Sequence, residues 1–183
     1  MLVPILLIAT LVIPGCTLPT GQLPPNVHRW VTAQGGLANE ATADRVSRVC
    51  DPFLRLVEGR PVRVFVLESD TVAAYAWTRS SVYVRRGLAD LATDDELAAA
   101  IAHELGHLVI DGHLSSPLAL TGSSDDDAEL RADRWGCCLL EQCGVPPTAM
   151  RTLLEKVKVA HATNDSCRAG LDVRIRSLVI VHP

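Results

Sequence analysis

Thr93-Asp-Asp-Glu-Leu-Ala-Ala-Ala-Ile-Ala-His-Glu-Leu-Gly-His107 is the stretch on which the reading of this chain turns. Thr93, with Glu96 three residues later, spells a capping box, and Asp94 and Asp95 add negative charge at the positive end of the helix dipole. The helix it opens is expected over about residues 94–110. It carries His103 and His107 four residues apart, so both imidazoles leave one face, a turn apart, and can reach a single metal ion. Glu104 stands about 100° further round. There it lies beside the metal rather than aimed at it, placed to take a proton from water. Zinc suits such a set because it makes water acidic near neutral pH, and a nearby carboxylate then assists attack on a carbonyl. Long apolar runs on both sides predict a mostly buried helix. Two histidines and a glutamate buried without partners are costly, and a metal relieves that cost.

Two protein nitrogens do not complete a catalytic zinc site, which has three protein ligands and one open position. Two residues compete for the third place. Glu129 lies on the next expected helix, about residues 126–142, with Asp133 on the same face four residues on, placed to orient a ligand. His113 is the rival, because His107-Leu-Val-Ile-Asp-Gly-His113 has the ligand spacing of the HExxHxxGxxH pattern of metzincins. Ile110 stands where that pattern needs a glycine for positive φ, and Met150 falls in a helical pattern rather than a turn. The spacing therefore favours Glu129, with one zinc per chain.

Around this helix the chain of 183 residues suits one domain. Hydrophobic residues make up 48% and aromatic ones only 4%, so the core must rest on Leu, Val, Ile and Ala. A net charge of -4 and no Lys/Arg run longer than two argue against a nucleic-acid partner. Residues 1–15 read as a signal segment, too short to span a bilayer comfortably. Ile13-Pro14-Gly15-Cys16 resembles a bacterial lipobox, which makes Cys16 the expected lipidation site and the membrane an expected partner. Residues 16–26, rich in proline, read as a tether, and 27–183 as the domain. Export permits disulfides among Cys50, Cys137, Cys138, Cys143 and Cys167, whose spacing matches no zinc pattern.

Further along, residues 38–57 are expected to be helical, with Pro52 as a flaw that kinks or splits the helix. Pro61–Leu67 and Ser81–Arg85 read as strands; Val82 and Val84 share one face and Tyr83 and Arg85 the other, as in a half-buried strand at an edge. Gly144 ends the second helix, and Pro146-Pro147 opens another over Thr148 to about Val159. The fold class expected is α+β, a small mixed sheet packed on several helices.

Ala73–Ala76, Ser81–Leu88, Asp95–His107 and the Glu129-Leu-Arg-Ala-Asp133 segment together resemble a gluzincin family of zinc metallopeptidases. Its members include CAAX prenyl endopeptidases, HtpX-type quality-control peptidases and small periplasmic lipoprotein relatives. The likeness covers roughly residues 61–177. It implies a minigluzincin-like fold and a protein or peptide substrate, whose backbone would pair with an edge strand formed by Ser81, Val82, Tyr83, Val84 and Arg85. It also implies that Arg174, of Arg174-Ile175, pairs with Asp133. Relatives often carry a His-Pro whose histidine lies six residues before that arginine. Here Arg168 stands there beside Cys167, either as a partner for a developing oxyanion or as a salt-bridged surface residue. A zinc-bound but non-catalytic envelope lipoprotein is the competing functional reading.

Overall fold

The computed structural model describes residues 23–57, 62–77, 80–110, 118–119 and 126–181. Its organising element is the helix opened by the capping box. Thr93 N–H donates to Glu96 Oε2 at 2.8 Å and Glu96 N–H donates to Thr93 Oγ1 at 3.3 Å, so two otherwise orphaned donors are satisfied reciprocally. Burial alone would raise the Glu96 pKa, but Lys156, 2.7 Å away, and the Thr93 contacts hold it below the usual carboxylate range. Every residue from Glu96 to Leu108 in this helix, Asp94–Ile110, is buried. A helix without a solvent face must be wrapped by the rest of the fold.

Two helices precede it, α1 (Pro25–Ala33) and α2 (Glu40–Leu56). Three strands follow them, β1 (Arg63–Leu67), β2 (Ala74–Trp77) and β3 (Ser81–Arg85), and then a short helix, α3 (Arg86–Leu91). The buried helix is α4; β4 (Leu118–Ala119), α5 (Asp126–Gln142), α6 (Thr148–Ala160) and α7 (Asp165–Val181) complete the order. The strands form one sheet in the order β1-β3-β2-β4. β3 runs parallel to β1 and antiparallel to β2, and β4 runs antiparallel to β2. The architecture is α+β.

Both faces of the sheet are covered. Val64, Val66, Ala74, Ala76, Val82 and Val84 join the main core with α4 and α2. Phe65, Leu67, Trp77 and Tyr83 face the other way, against Val27 and Val31 of α1. Trp30 of α1 meets Tyr75, Trp77 and Tyr83 edge-on, with ring centroids 5.6, 5.0 and 5.1 Å away, and Phe65 stacks on Tyr83 at 5.2 Å. Five of the chain's seven aromatic residues thus fill one layer.

Three expectations need correction. Ser81–Arg85 is not an edge strand, because β1 and β2 take its two sides. With its backbone hydrogen-bonded into both neighbours, it cannot also pair with a substrate backbone. Nor is it half-buried: Tyr83 is 1% exposed beneath α1, and Arg85 folds back to donate to Gln34 Oε1 and lies over the Tyr75 ring. Pro52 does not split α2, which runs on to Leu56 from an Asn39 cap whose side chain accepts from Thr42 N–H at 3.0 Å. α1 begins at Pro25, inside the stretch read as tether, with proline at the helix start where its missing N–H costs nothing.

The five described cysteines are free thiols. Cys16 and the signal segment lie outside the described residues, among which no helix is long and apolar enough to cross a membrane. Tyr83→Ala is expected to remove about 3–5 kcal/mol of stability. Denaturant unfolding should show this loss, and KM for a peptide should not change selectively, as it would if Tyr83 lined the substrate.

Candidate metal centre

α4 packs along α5, and the candidate site lies between them. His103 and His107 project from successive turns of α4, and Glu129 projects from the first turn of α5. Their relative exposures are 0%, 1% and 3%. The two Nε2 atoms are 3.1 Å apart. Glu129 Oε2 lies 3.3 Å from His103 Nε2, and Oε1 lies 3.3 Å from His107 Nε2. The imidazole planes are almost perpendicular, at 89°.

Asp133, one turn beyond Glu129, accepts a hydrogen bond from His103 Nδ1 at 2.9 Å. A carboxylate only accepts, so the ring proton sits on Nδ1 and the Nε2 lone pair faces Glu129 and His107. Arg174 of α7, itself 4% exposed, closes the cluster. Its Nε and Nη2 donate to the two Asp133 oxygens at 2.8 and 2.6 Å, and its Nη1 lies 2.7 Å from Glu129 Oε2. Arg174 Nη2 is also 3.2 Å from His103 Nδ1. That approach brings two donors together, since Asp133 accepts a hydrogen bond from each.

Burial and the Arg174 charge both press the His103 pKa down, but the carboxylates of Asp133 and Glu129 outweigh them and carry it up to about 9. Burial would raise Glu129, yet the two imidazoles and Arg174 hold it well below the carboxylate range. Asp133 falls to about 2 against the same burial penalty, chiefly through Arg174. Glu104 behaves differently. Burial dominates it, the imidazoles oppose only in part, and its pKa is raised.

Donor chemistry and spacing fit a zinc ion. Zinc–ligand distances of 2.0–2.1 Å in a tetrahedron imply donor–donor edges of about 3.3 Å. The 3.1 Å spacing of the two Nε2 atoms and the 3.3 Å approach of one Glu129 oxygen to each imidazole are of that size. Charge agrees with geometry. Among the described residues Arg174 is the one fixed cation against the buried Glu104, Glu129 and Asp133; with the imidazoles neutral and the carboxylates ionised, the state in which they would ligate a metal, two negative charges remain for a dication to cancel. Both oxygens of Glu104 and both of Glu129 lack a directed hydrogen bond, a rare and costly state for buried carboxylates.

The structure thus brings together His103, Glu104, His107, Glu129, Asp133 and Arg174, all of them singled out by the sequence. What spacing did not reveal is that Arg174 reaches Glu129 and His103 as well as Asp133. Of the two readings of Arg168, the structure fits the salt-bridged surface residue: its guanidinium is 3.5 Å from Asp165 and 3.5 Å from the Ala162 carbonyl oxygen. His113 lies outside the described residues. Met150 is buried inside α6 rather than in a turn. Among the described residues, no other histidine, cysteine or carboxylate group forms a metal-ligand cluster.

Glu129→Ala is expected to abolish stoichiometric zinc binding, and Asp133→Asn to weaken it about 10–100-fold through the loosened His103 ring. Chelator competition on the purified variants measures both.

Comparison with known proteins agrees with this geometry. Residues 38–122 match the model of peptidase family M48. That span contains His103, Glu104 and His107 but stops short of Glu129, whose part rests on its position in space. Over 154 residues the chain is 25% identical to Metalloprotease LoiP of Escherichia coli (strain K12), covering 66% of this chain and 61% of that protein. Over 69 residues it is 32% identical to Metalloprotease YcaL of the same organism, covering 38% of this chain and 27% of that one. The chain therefore spans less than two thirds of either relative. The chain is thus similar over part of its length to peptidase family M48 and to two metalloproteases, and the matched span holds two of the three converging residues His103, His107 and Glu129.

Proposed function

We propose that the chain is a zinc-dependent endopeptidase of minigluzincin type, exported and held at a membrane through lipid on Cys16, that cleaves protein or peptide substrates. The observation that carries this reading is the triangle of His103, His107 and Glu129 donors with an unpartnered Glu104 carboxylate on the next residue of the same helix. Zinc held by the three donors supplies Lewis acidity, polarising a carbonyl and making water acidic near neutral pH. Everything else is the work of the chain's own groups. Glu104 has a raised pKa and no competing hydrogen bond, so it accepts the proton of the attacking water and returns it to the departing amine. Asp133 and Arg174 keep the His103 ring and the Glu129 carboxylate in place, so no reorganisation is needed when charge develops.

With β3 enclosed, an extended substrate pairs instead along β4, the last strand of the sheet on the β2 side among the described residues, where β2 packs on α4. Among the described residues, β4 pairs with Tyr75 and Ala76 of β2.

A second reading, a zinc-binding envelope protein without peptidase activity, draws on the surface position of Arg168, which stands in the sequence where relatives often carry a histidine. Casein digestion separates the two. Glu104→Gln is expected to lower cleavage at least about a hundredfold while zinc content stays at one per chain. Undiminished cleavage by that variant would refute the assignment of Glu104, and zinc binding without any cleavage by the wild type would establish the second reading.

A further inference from the structure

The donors of the candidate centre come from two separate helices, so their separation is a property of how α4 and α5 cross. Along α4 the facing residues are His103, Gly106 and His107; along α5 they are Glu129, Ala132, Asp133 and Gly136, spaced three and four apart as one helix face requires. Two glycines lie in this contact. A Cβ at Gly106 would stand 3.0 Å from Ala132 Cα and 3.0 Å from its carbonyl oxygen. A Cβ at Gly136 would stand 3.2 Å from the His103 backbone nitrogen, 3.3 Å from the Ala102 carbonyl carbon and 2.8 Å from Met150 Cε. At both places one helix backbone rests on the other where a side chain would otherwise intervene.

Glycine is the poorest helix former after proline, and both residues sit inside 17-residue helices. The propensity lost there calls for a compensating gain. Gly170 of α7 makes the contrast, since a Cβ there would meet nothing within 4 Å.

We propose that Gly106 and Gly136 are positioning residues of the metal centre, setting the α4–α5 separation that holds Glu129 within a zinc ligand's reach of His103 and His107. The inference rests on the zinc reading of the site. Its reasoning is one of tolerance. Metal–ligand distances are held to within about 0.2 Å. A methyl group at either glycine forces the facing backbone to give by a few tenths of an ångström. A shift that an apolar contact absorbs by small repacking is therefore too large for the 3.3 Å separations between the imidazoles and Glu129.

Gly136→Ala tests this with zinc as the probe. Chelator competition should show zinc affinity reduced about tenfold or more, and cobalt substituted for zinc should show a weakened visible absorption as the site opens. The metal-stripped variant should melt no lower than the metal-stripped wild type by more than a few degrees, since alanine's better helix propensity offsets part of the crowding. Gly170→Ala, the control, should bind zinc as the wild type does. Adding Met150→Leu removes the flexible methyl end from the crowded place but leaves the backbone contact with His103. The double variant should therefore fold well and still bind zinc weakly, and it serves as the test if Gly136→Ala alone is insoluble. Wild-type affinity and an unchanged cobalt spectrum in Gly136→Ala, or full recovery of affinity on adding Met150→Leu, would overturn the proposal. A wild type that binds no zinc would instead overturn the reading of the centre on which it rests.

Discussion

Three carboxylates, one guanidinium and two imidazoles lie buried together between α4, α5 and α7, and the rest of the fold is organised around making that tolerable. Removing charges from water costs several kcal/mol apiece even after relaxation, and only close, well-directed partners repay it. Asp133 has them, with His103 on one side and two contacts from Arg174 on the other. Glu129 is less complete. One oxygen is near Arg174 and both are near imidazole nitrogens, but none of these approaches is aligned as a hydrogen bond. Glu129 and Glu104 thus keep oxygens without a directed hydrogen bond, beside an Asp133 whose two oxygens are both engaged.

The support is layered outward from α4. The capping box fixes where the helix starts, and Lys156 ties that end to α6. Small residues, Ala98, Ala99, Ala100 and Ala102, let neighbouring elements approach its buried flanks. The inner face of the sheet closes one side with valines and alanines. Its outer face is sealed by α1 through the aromatic layer around Trp30 and Tyr83. That layer explains how a chain so poor in aromatic residues still builds a two-sided sheet: nearly all of them are spent on one surface.

Legibility in the sequence followed the range of the interaction. The capping box, the paired histidines and Glu104 are contacts across three or four residues on one helix, and spacing alone places them. Glu129 and Asp133 were legible as two groups on one helix face, but their meeting with His103 spans 26 and 30 residues. Ser81–Arg85 misled for a physical reason. Alternation of valines with Tyr83 and Arg85 resembles a strand with one wet face, because a tyrosine buried under a later-packed helix and an arginine folded back onto Gln34 carry the same letters as exposed ones. α1 hid behind the prolines that precede it. β2 is only four residues long, and α7 has too weak an apolar pattern to announce itself.

The sequence by itself determined the local chemistry: a helix that starts at Thr93, two imidazoles on one face of it, a carboxylate beside them, and a second helix carrying Glu129 and Asp133 four residues apart. Helical geometry is set by neighbours within one turn, so these follow from order alone. The tertiary structure decided how the two helices meet, that Arg174 completes the charge cluster, and that Ser81–Arg85 lies enclosed within the sheet. Those outcomes depend on packing between segments tens of residues apart, where close approach at Gly106 and Gly136 and burial of Tyr83 arise from surfaces meeting in space.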